Sequence, residues 1–531
     1  MPEMSTMHTE EQRSRGSASW IPSQSRCNKA TYRSHSTPAD EAENQDPERV
    51  PFLQPSSCSL PSDADERSQH GPVPSAFAVT ITACVVMLIL DIASSVPTAP
   101  RMVIFEDIIC RNHYAAWRDI SRLGDCKVNA VQGELALING WKDTFEKIPA
   151  LLVSIPYGAL ADRIGRKKVL ILALTGCLLC DTWVAIVCRF PRVFPLRAVW
   201  VSGLWQLIGG GGASVISMCY TLIGDVCSPE KRLEHSTAAF SQLYAAVLIS
   251  ELISIPLGSS LISLEPWIPV LGSLGFLALA ICFALLFAPN FANSAKSSRF
   301  SQSDRLIQGP KSVRSGKIRH RLSHTMAKLG DNCQWITMDV CLMLGAFFSC
   351  QLSRQVSGIL LQYSSFKFNW GYAKASYLIS LRSGINLLVL VTLIPTLKRL
   401  FTNSGRCGQA QSDKYITLIS GACLALGSFI IFLAASPAVL ILGQIFFAIG
   451  FSFTVTAHSF LTAMVDSHHL GLVNTGVTTA NSVGHMAGGP LLASIFQWGL
   501  QLGHFWVGIP FLFTAVLLLI ATLAVSISNA P

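Results

Sequence analysis

Six ionisable residues lie in apolar stretches of this 531-residue chain with the types and placing to do chemistry: Asp91, Glu251, Arg354, Arg382, His458 and His485. A charge at the centre of a bilayer costs at least about 2.5–3.5 kcal/mol on insertion scales, so such residues are rarely accidental. Burial drives a carboxyl toward neutrality and a neighbouring arginine opposes this. A carboxyl so balanced at Asp91 or Glu251 loads a proton on one side and releases it on the other. Arg354 and Arg382 then supply fixed positive charge that exchanges between these carboxylates and a cargo. The competing reading is a static ion pair that orients helices. His458 and His485 can titrate near neutral pH or serve as hydrogen-bonding packing residues.

The elements that must position these groups are apolar runs. The chain is 50% hydrophobic and 13% charged, with a mean hydropathy of +0.44. Average soluble domains carry about 25% charged residues, so most of the surface must meet something other than water. Residues 1–74 hold 18 of the 71 charges, which leaves the remainder poorer still. That excludes a large soluble enzyme core and a nucleic-acid binder. Residues 1–74, rich in Ser, Pro, Glu and Arg, read as a disordered cytosolic tail. No charged start runs directly into an apolar core with a cleavage site, so no cleaved signal peptide is expected.

From residue 75 onward, apolar stretches long enough to cross about 30 Å of hydrocarbon as helix alternate with short polar breaks, and twelve are counted. One long break, 290–335, carries nine Lys/Arg and separates a six-helix half at 75–289 from a second at 336–531. Loops on the side of the tail carry nineteen Lys/Arg against ten on the other side. The positive-inside rule then places both termini in the cytosol. On the opposite side, the long polar stretch between spans one and two includes Cys110 and Cys126, which are free to pair as a disulfide or to remain thiols. The halves echo each other: Gln206 precedes Gly212 by six residues as Gln444 precedes Gly450, and Glu251 precedes Pro256 by five as His485 precedes Pro490.

The sharpest local pattern is Gly158-Ala159-Leu160-Ala161-Asp162-Arg163-Ile164-Gly165-Arg166-Lys167-Lys168, between spans two and three. It supplies glycine for a tight path, an acid suited to a helix N-terminus and bases that stay out of the membrane. This stretch resembles the signature loop of the major facilitator superfamily at every position of Gly-x-x-x-Asp-Arg-x-Gly-Arg-Lys. Ala99-Pro100-Arg101, Phe105-Glu106-Asp107-Ile108-Ile109-Cys110, Gly224-Asp225-Val226 and Ser380-Leu381-Arg382 are similar to stretches of multi-substrate facilitators of filamentous fungi, themselves distantly similar to proton-coupled folate transporters.

The resemblance implies an all-α membrane protein in which two pseudo-symmetric halves rock about a central site. Gly158, Asp162, Arg163, Gly165, Arg166 and Lys167 would help hold one face closed. It implies that spans one, four, seven and ten line the cavity with two, five, eight and eleven beside them, which makes Asp181, in span three, a structural residue. The function it implies is proton-coupled export of a small organic metabolite or xenobiotic. The alternatives are proton-coupled uptake of a small organic anion and a facilitator-fold sensor that moves nothing.

Lys142, Asp143, Glu146 and Lys147 read as a partly solvated gate toward the outer mouth, paired at i,i+4. Gly209–Gly212 lacks the Lys-Ser or Lys-Thr of a phosphate cradle, and no Gly-x-x-x-x-Gly-Lys-[Ser/Thr] occurs in the chain. Those glycines should let span four bend and pack closely. Cys177 and Cys180 lack a second ligand pair, so no metal or cofactor is expected. The expected partners are a small organic substrate, protons and the lipid bilayer, with no nucleic acid, and the expected unit is a monomer in the plasma membrane.

Overall fold

The computed structural model describes residues 76–116, 126–226, 232–289, 337–403, 408–465 and 469–528. The tail and the whole of the basic stretch at 290–335 lie outside them. The described residues are almost entirely helical.

The first half comprises α1 (Ala76–Ser95), α2 (Thr98–Ala116), α3 (Asn129–Ile164), α4 (Arg166–Arg189), a 3-10 segment at Leu196–Leu207 leading into α5 (Gly211–Val226), α6 (Arg232–Ile262) and α7 (Trp267–Phe287). The second comprises α8 (Met338–Arg354), α9 (Val356–Lys367), α10 (Tyr372–Leu388), a π-helical turn at Val389–Leu393, α11 (Ile394–Asn403), α12 (Gln409–Leu433), α13 (Pro437–Ile449), α14 (Phe453–Ala463), α15 (Leu470–Leu502) and α16 (Ile509–Ile527). Grouped end to end, these make twelve crossings, six in each half.

Every third crossing repeats one pattern. The first, fourth, seventh and tenth are interrupted, at 96–97, 208–210, 355 and 450–452 respectively. The second, fifth and eleventh are single long helices of 36, 31 and 33 residues with internal prolines, Pro149 and Pro156, Pro256, and Pro490. The third, sixth and ninth run unbroken over 24, 21 and 25 residues. Among the described residues nine helical segments are long and apolar enough to cross a membrane. The other three crossings, α3, α8–α9 and α15, fall short on apolarity or continuity because they bring polar residues to the axis.

The stretch between the first two spans is largely helix, not loop. After a break at Val96–Pro97 the chain re-enters helix as α2 and runs to Ala116. Its charges are absorbed by pairing: Arg111 with Asp107 one turn earlier at 2.8 Å, Glu106 with Lys127 at 2.9 Å and Arg101 with Asp181 at 3.2 Å. Cys110 and Cys126 are joined as a disulfide, with Cα atoms 5.5 Å apart.

The two halves meet most extensively where α3 crosses α15 and α6 crosses α10. A Cβ on Gly140 would lie 2.6 Å from the Gly489 carbonyl oxygen, and one on Gly489 would lie 2.6 Å from that of Gly140. Small residues thus let the two backbones touch. The same interface carries hydrogen bonds from Asn129 Nδ2 to the Leu500 carbonyl at 2.9 Å and from Thr144 to that of Met486 at 2.7 Å. Ser259 on α6 and Ser376 on α10 share a hydrogen bond nearby. These contacts run from the end that carries the disulfide to mid-depth along α3, and they close that end.

Candidate functional site

Two adjoining cavities lie between the halves, of about 560 Å³ and about 360 Å³, and share Val247, Gln355 and Ser357 in their walls. Two of the interruptions reach the cavity walls, at Gln355 and at Phe451. In the fourth crossing, Gly209, Gly210 and Gly211 adopt φ of +81°, +80° and +60°, a conformation that L side chains rarely hold. A Cβ on Gly209 would meet the Ala173 backbone nitrogen at 2.3 Å, so the glycines serve both the bend and the close packing on α4.

Glu251, Arg354 and Arg382 all line the smaller cavity. The Arg382 guanidinium donates to Glu251 Oε1 at 3.1 Å across the boundary between halves, with both side chains about one-fifth exposed. Arg354, the last residue of α8, lies over the Phe451 ring at 5.3 Å and donates to Thr454 Oγ1 at 3.4 Å. It has no carboxylate partner among the described residues. Asp91 lines the larger cavity and makes no ion pair among them.

The two histidines lie outside both linings. His458 hydrogen-bonds Asn474 Oδ1 at 2.9 Å and packs edge-on to Phe347. His485 is half-buried in α15, one residue from Gly484, where the helix passes close to the Phe348 carbonyl.

The larger cavity holds a cluster that sequence reasoning placed elsewhere. Lys142 is buried at 4% exposure and pairs with Glu146 at 2.8 Å, while Glu146 also accepts from Ser202 at 3.0 Å and Cys180 at 3.4 Å. Lys142 is thirteen residues, or about 20 Å of helix rise, from the first residue of α3. The group therefore sits at mid-depth in the cavity wall, not at the outer mouth. Asp143 and Lys147, the second expected pair, line the same cavity and make no ion pair with each other.

Asp181 is likewise corrected from structural bystander to cavity wall. It lines both this cavity and a small adjoining one, paired to Arg101 of α2. The physical reason is the glycine contact one turn earlier. Gly176 approaches the Ile208 carbonyl so closely that a Cβ would lie 2.1 Å from it, which draws α4 inward against the bent fourth crossing. A signal was present in the sequence: Asp181 is an acid within an apolar run and needs a partner there.

At the far end from the disulfide, the signature stretch turns from α3 into α4 at Gly165, whose φ is +97°. Arg166 donates to the Thr221 carbonyl near the end of α5, and Lys167 donates to the Leu285 carbonyl near the end of α7 at 2.7 Å. Cations at the carbonyl ends of helices satisfy otherwise orphaned acceptors. Asp162 is 67% exposed, 3.9 Å from Arg166, and does not cap α4. Arg163 is exposed, and a Cβ on Gly158 would meet nothing within 4 Å. The second half has a counterpart with the signs exchanged, in which Lys398 after the eighth crossing pairs at 2.9 Å with the buried Asp413 of the ninth. The pattern Gly-x-x-x-Asp is absent there, so Asp413 escaped notice in the sequence.

Residues 138–407 match the Major Facilitator Superfamily. The chain is 47% identical over 458 residues to the efflux pump ustT of Aspergillus flavus, covering 85% of this chain and 88% of that protein. It is 32% identical over 440 residues to the MFS efflux pump atnC of Emericella nidulans, covering 80% and 82%. Its fold is similar to that of the xylose transporter XylE from E. coli in a partially occluded inward-open conformation, with a TM-score of 0.54 at 15% identity over 85% of this chain and 98% of that one. With twelve crossings in two halves about a polar cavity, the chain belongs to the major facilitator superfamily and is a membrane transporter.

Proposed function

We propose that this transporter exports a small organic metabolite or xenobiotic in exchange for protons, by alternating access, with the signature-loop end and both termini facing the cytosol of a fungal cell. The observation that carries the reading is the Glu251–Arg382 pair, set across the boundary between halves in a cavity beside an arginine without a carboxylate partner among the described residues. Cargo and proton compete for the Glu251 carboxylate: cargo entering from the cytosol is held by deprotonated Glu251 and by Arg354 beside the Arg382 pair, and a proton taken up by Glu251 from the other side neutralises the carboxylate and releases the cargo there. The two occupancies exclude each other, so one leaves as the other enters. An anionic cargo held by an Arg382 freed on protonation would instead travel with the proton, which is the uptake alternative. The likeness to ustT and atnC, both efflux pumps, supports the outward direction.

The test is a comparison of cell and medium extracts between a strain expressing the chain and its deletion. A compound retained inside the deletion strain, secreted again on re-expression and held back when a protonophore collapses the pH gradient, supports proton-coupled export. A compound depleted from the medium and accumulated in the cells of the expressing strain replaces export by uptake. Identical extracts would sink the reading.

A further inference from the structure

At the closed end, one cation joins the halves. Lys127 Nζ lies 2.9 Å from Glu106 Oε1 in its own half, 2.7 Å from Ser365 Oγ in the other, and 4.2 Å from the centre of the Tyr372 ring, also in the other. Glu106 is 8% exposed and accepts from Gln132, whose own carbonyl accepts from Gln362 Nε2 of the second half at 3.1 Å. A hydrogen bond to a charged group contributes more than a neutral one, and its loss leaves the remaining charge uncompensated.

Lys127 precedes the first residue of α3, so no helix fixes it. Its neighbour Cys126 is bonded to Cys110, which stands four residues after Glu106 on the same face of α2. The disulfide and the carboxylate that receives the lysine are therefore adjacent on one helix surface. We propose that Lys127 is the clasp of the closed end and that the Cys110–Cys126 disulfide is its positioning element, delivering the ammonium to Glu106, Ser365 and Tyr372 together. This rests on the transport reading only in that opening and closing of this end is a step of transport.

Hydrogen exchange read by mass spectrometry on the purified full chain in lipid nanodiscs measures closure without any cargo. K127A and the C110S/C126S double variant should each speed exchange about tenfold or more in the first turns of α3 and along α9, with α4 and α7 unchanged, as expected for one lost hydrogen bond to a charged group. K127R should keep the wild-type protection. Combining K127A with C110S/C126S should add nothing beyond either alone, because both act through the same ammonium. Should K127A or the cysteine variant fail to purify as a single species, S365A, which removes the lysine's acceptor on the second half together with a donor to the Trp370 carbonyl, must show the same loosening in the first turns of α3 as well as in α9. Wild-type exchange in K127A or S365A overturns the clasp. Loss of protection in K127A with full protection in C110S/C126S overturns the positioning role. Faster exchange in a protein that moves no compound leaves the clasp standing and removes the export reading alone.

Discussion

Substituting Gly140 by alanine should pry open the end that is closed in this structure. Its new Cβ would lie 2.6 Å from the Gly489 carbonyl oxygen, whereas ordinary contact begins at 3.4 Å. The obstacle is backbone and cannot rotate away, so α3 and α15 must part by about 0.8 Å at their crossing. Overpacking of this kind costs about 1–3 kcal/mol. The clash exists only while the two helices touch, so the cost falls on the closed state alone and shifts the open-to-closed ratio by about 5- to 150-fold. Spin labels at 130 and 501, in a background keeping only the disulfide cysteines, report that ratio as a distance distribution by pulsed electron resonance. The wild type should give one short distance, and G140A should add a longer population that dominates at the upper end of the range. G275A is the control, since a Cβ there meets nothing within 4 Å. A G140A distribution matching wild type, in a protein that still folds, would refute the claim that glycine contact sets the closure.

Three further substitutions probe the site. E251Q should abolish flux driven by a pH gradient while leaving gradient-free counterflow measurable, because the proton-binding group is gone and the cavity remains. Transport at the unaltered rate in a vesicle flux assay would remove Glu251 from coupling. K142M should destabilise the protein by about 3–5 kcal/mol, since it strands Glu146 without its buried partner, and K142M/E146Q should recover most of the loss in thermal denaturation. G209A should lower stability at least as much as a buried large-to-small change, combining a positive φ with a 2.3 Å approach to the Ala173 backbone. Unchanged melting would mean that the fourth crossing bends without those glycines.

The scaffold was readable because span length, loop charge and the signature stretch are local properties of the chain. The twelve crossings, the long central break and the prolines after Glu251 and His485 needed no tertiary information. The candidate site was only half readable. Glu251, Arg354 and Arg382 stand out as charges in apolar runs, and they do converge. Arg101 and Lys142 were hidden by their neighbours: each lies among several charged residues, so hydropathy alone assigns them to a loop or mouth. What buries them is helix continuation past Pro97 and the approach of α4 at Gly176, both set by contacts far apart in sequence. His458 and His485 show the converse, since polarity in a span does not say which face of the helix carries it. Asp413 was missed because its partner Lys398 precedes it, reversing the order that the first half displays.

The joints at 96–97, 208–210, 355 and 450–452 have a consequence for cargo tolerance. Where a helix breaks, the segments on either side can be aimed separately. Of the four joints only Gln355 and Phe451 reach a cavity wall, while the amides of the others stay bonded within a turn, as Val96 to Ile92 and Gly210 to Gln206 do. The joints thus aim the helices while wall side chains meet the cargo, so an exchange at the wall can alter what is carried without unmaking the bend.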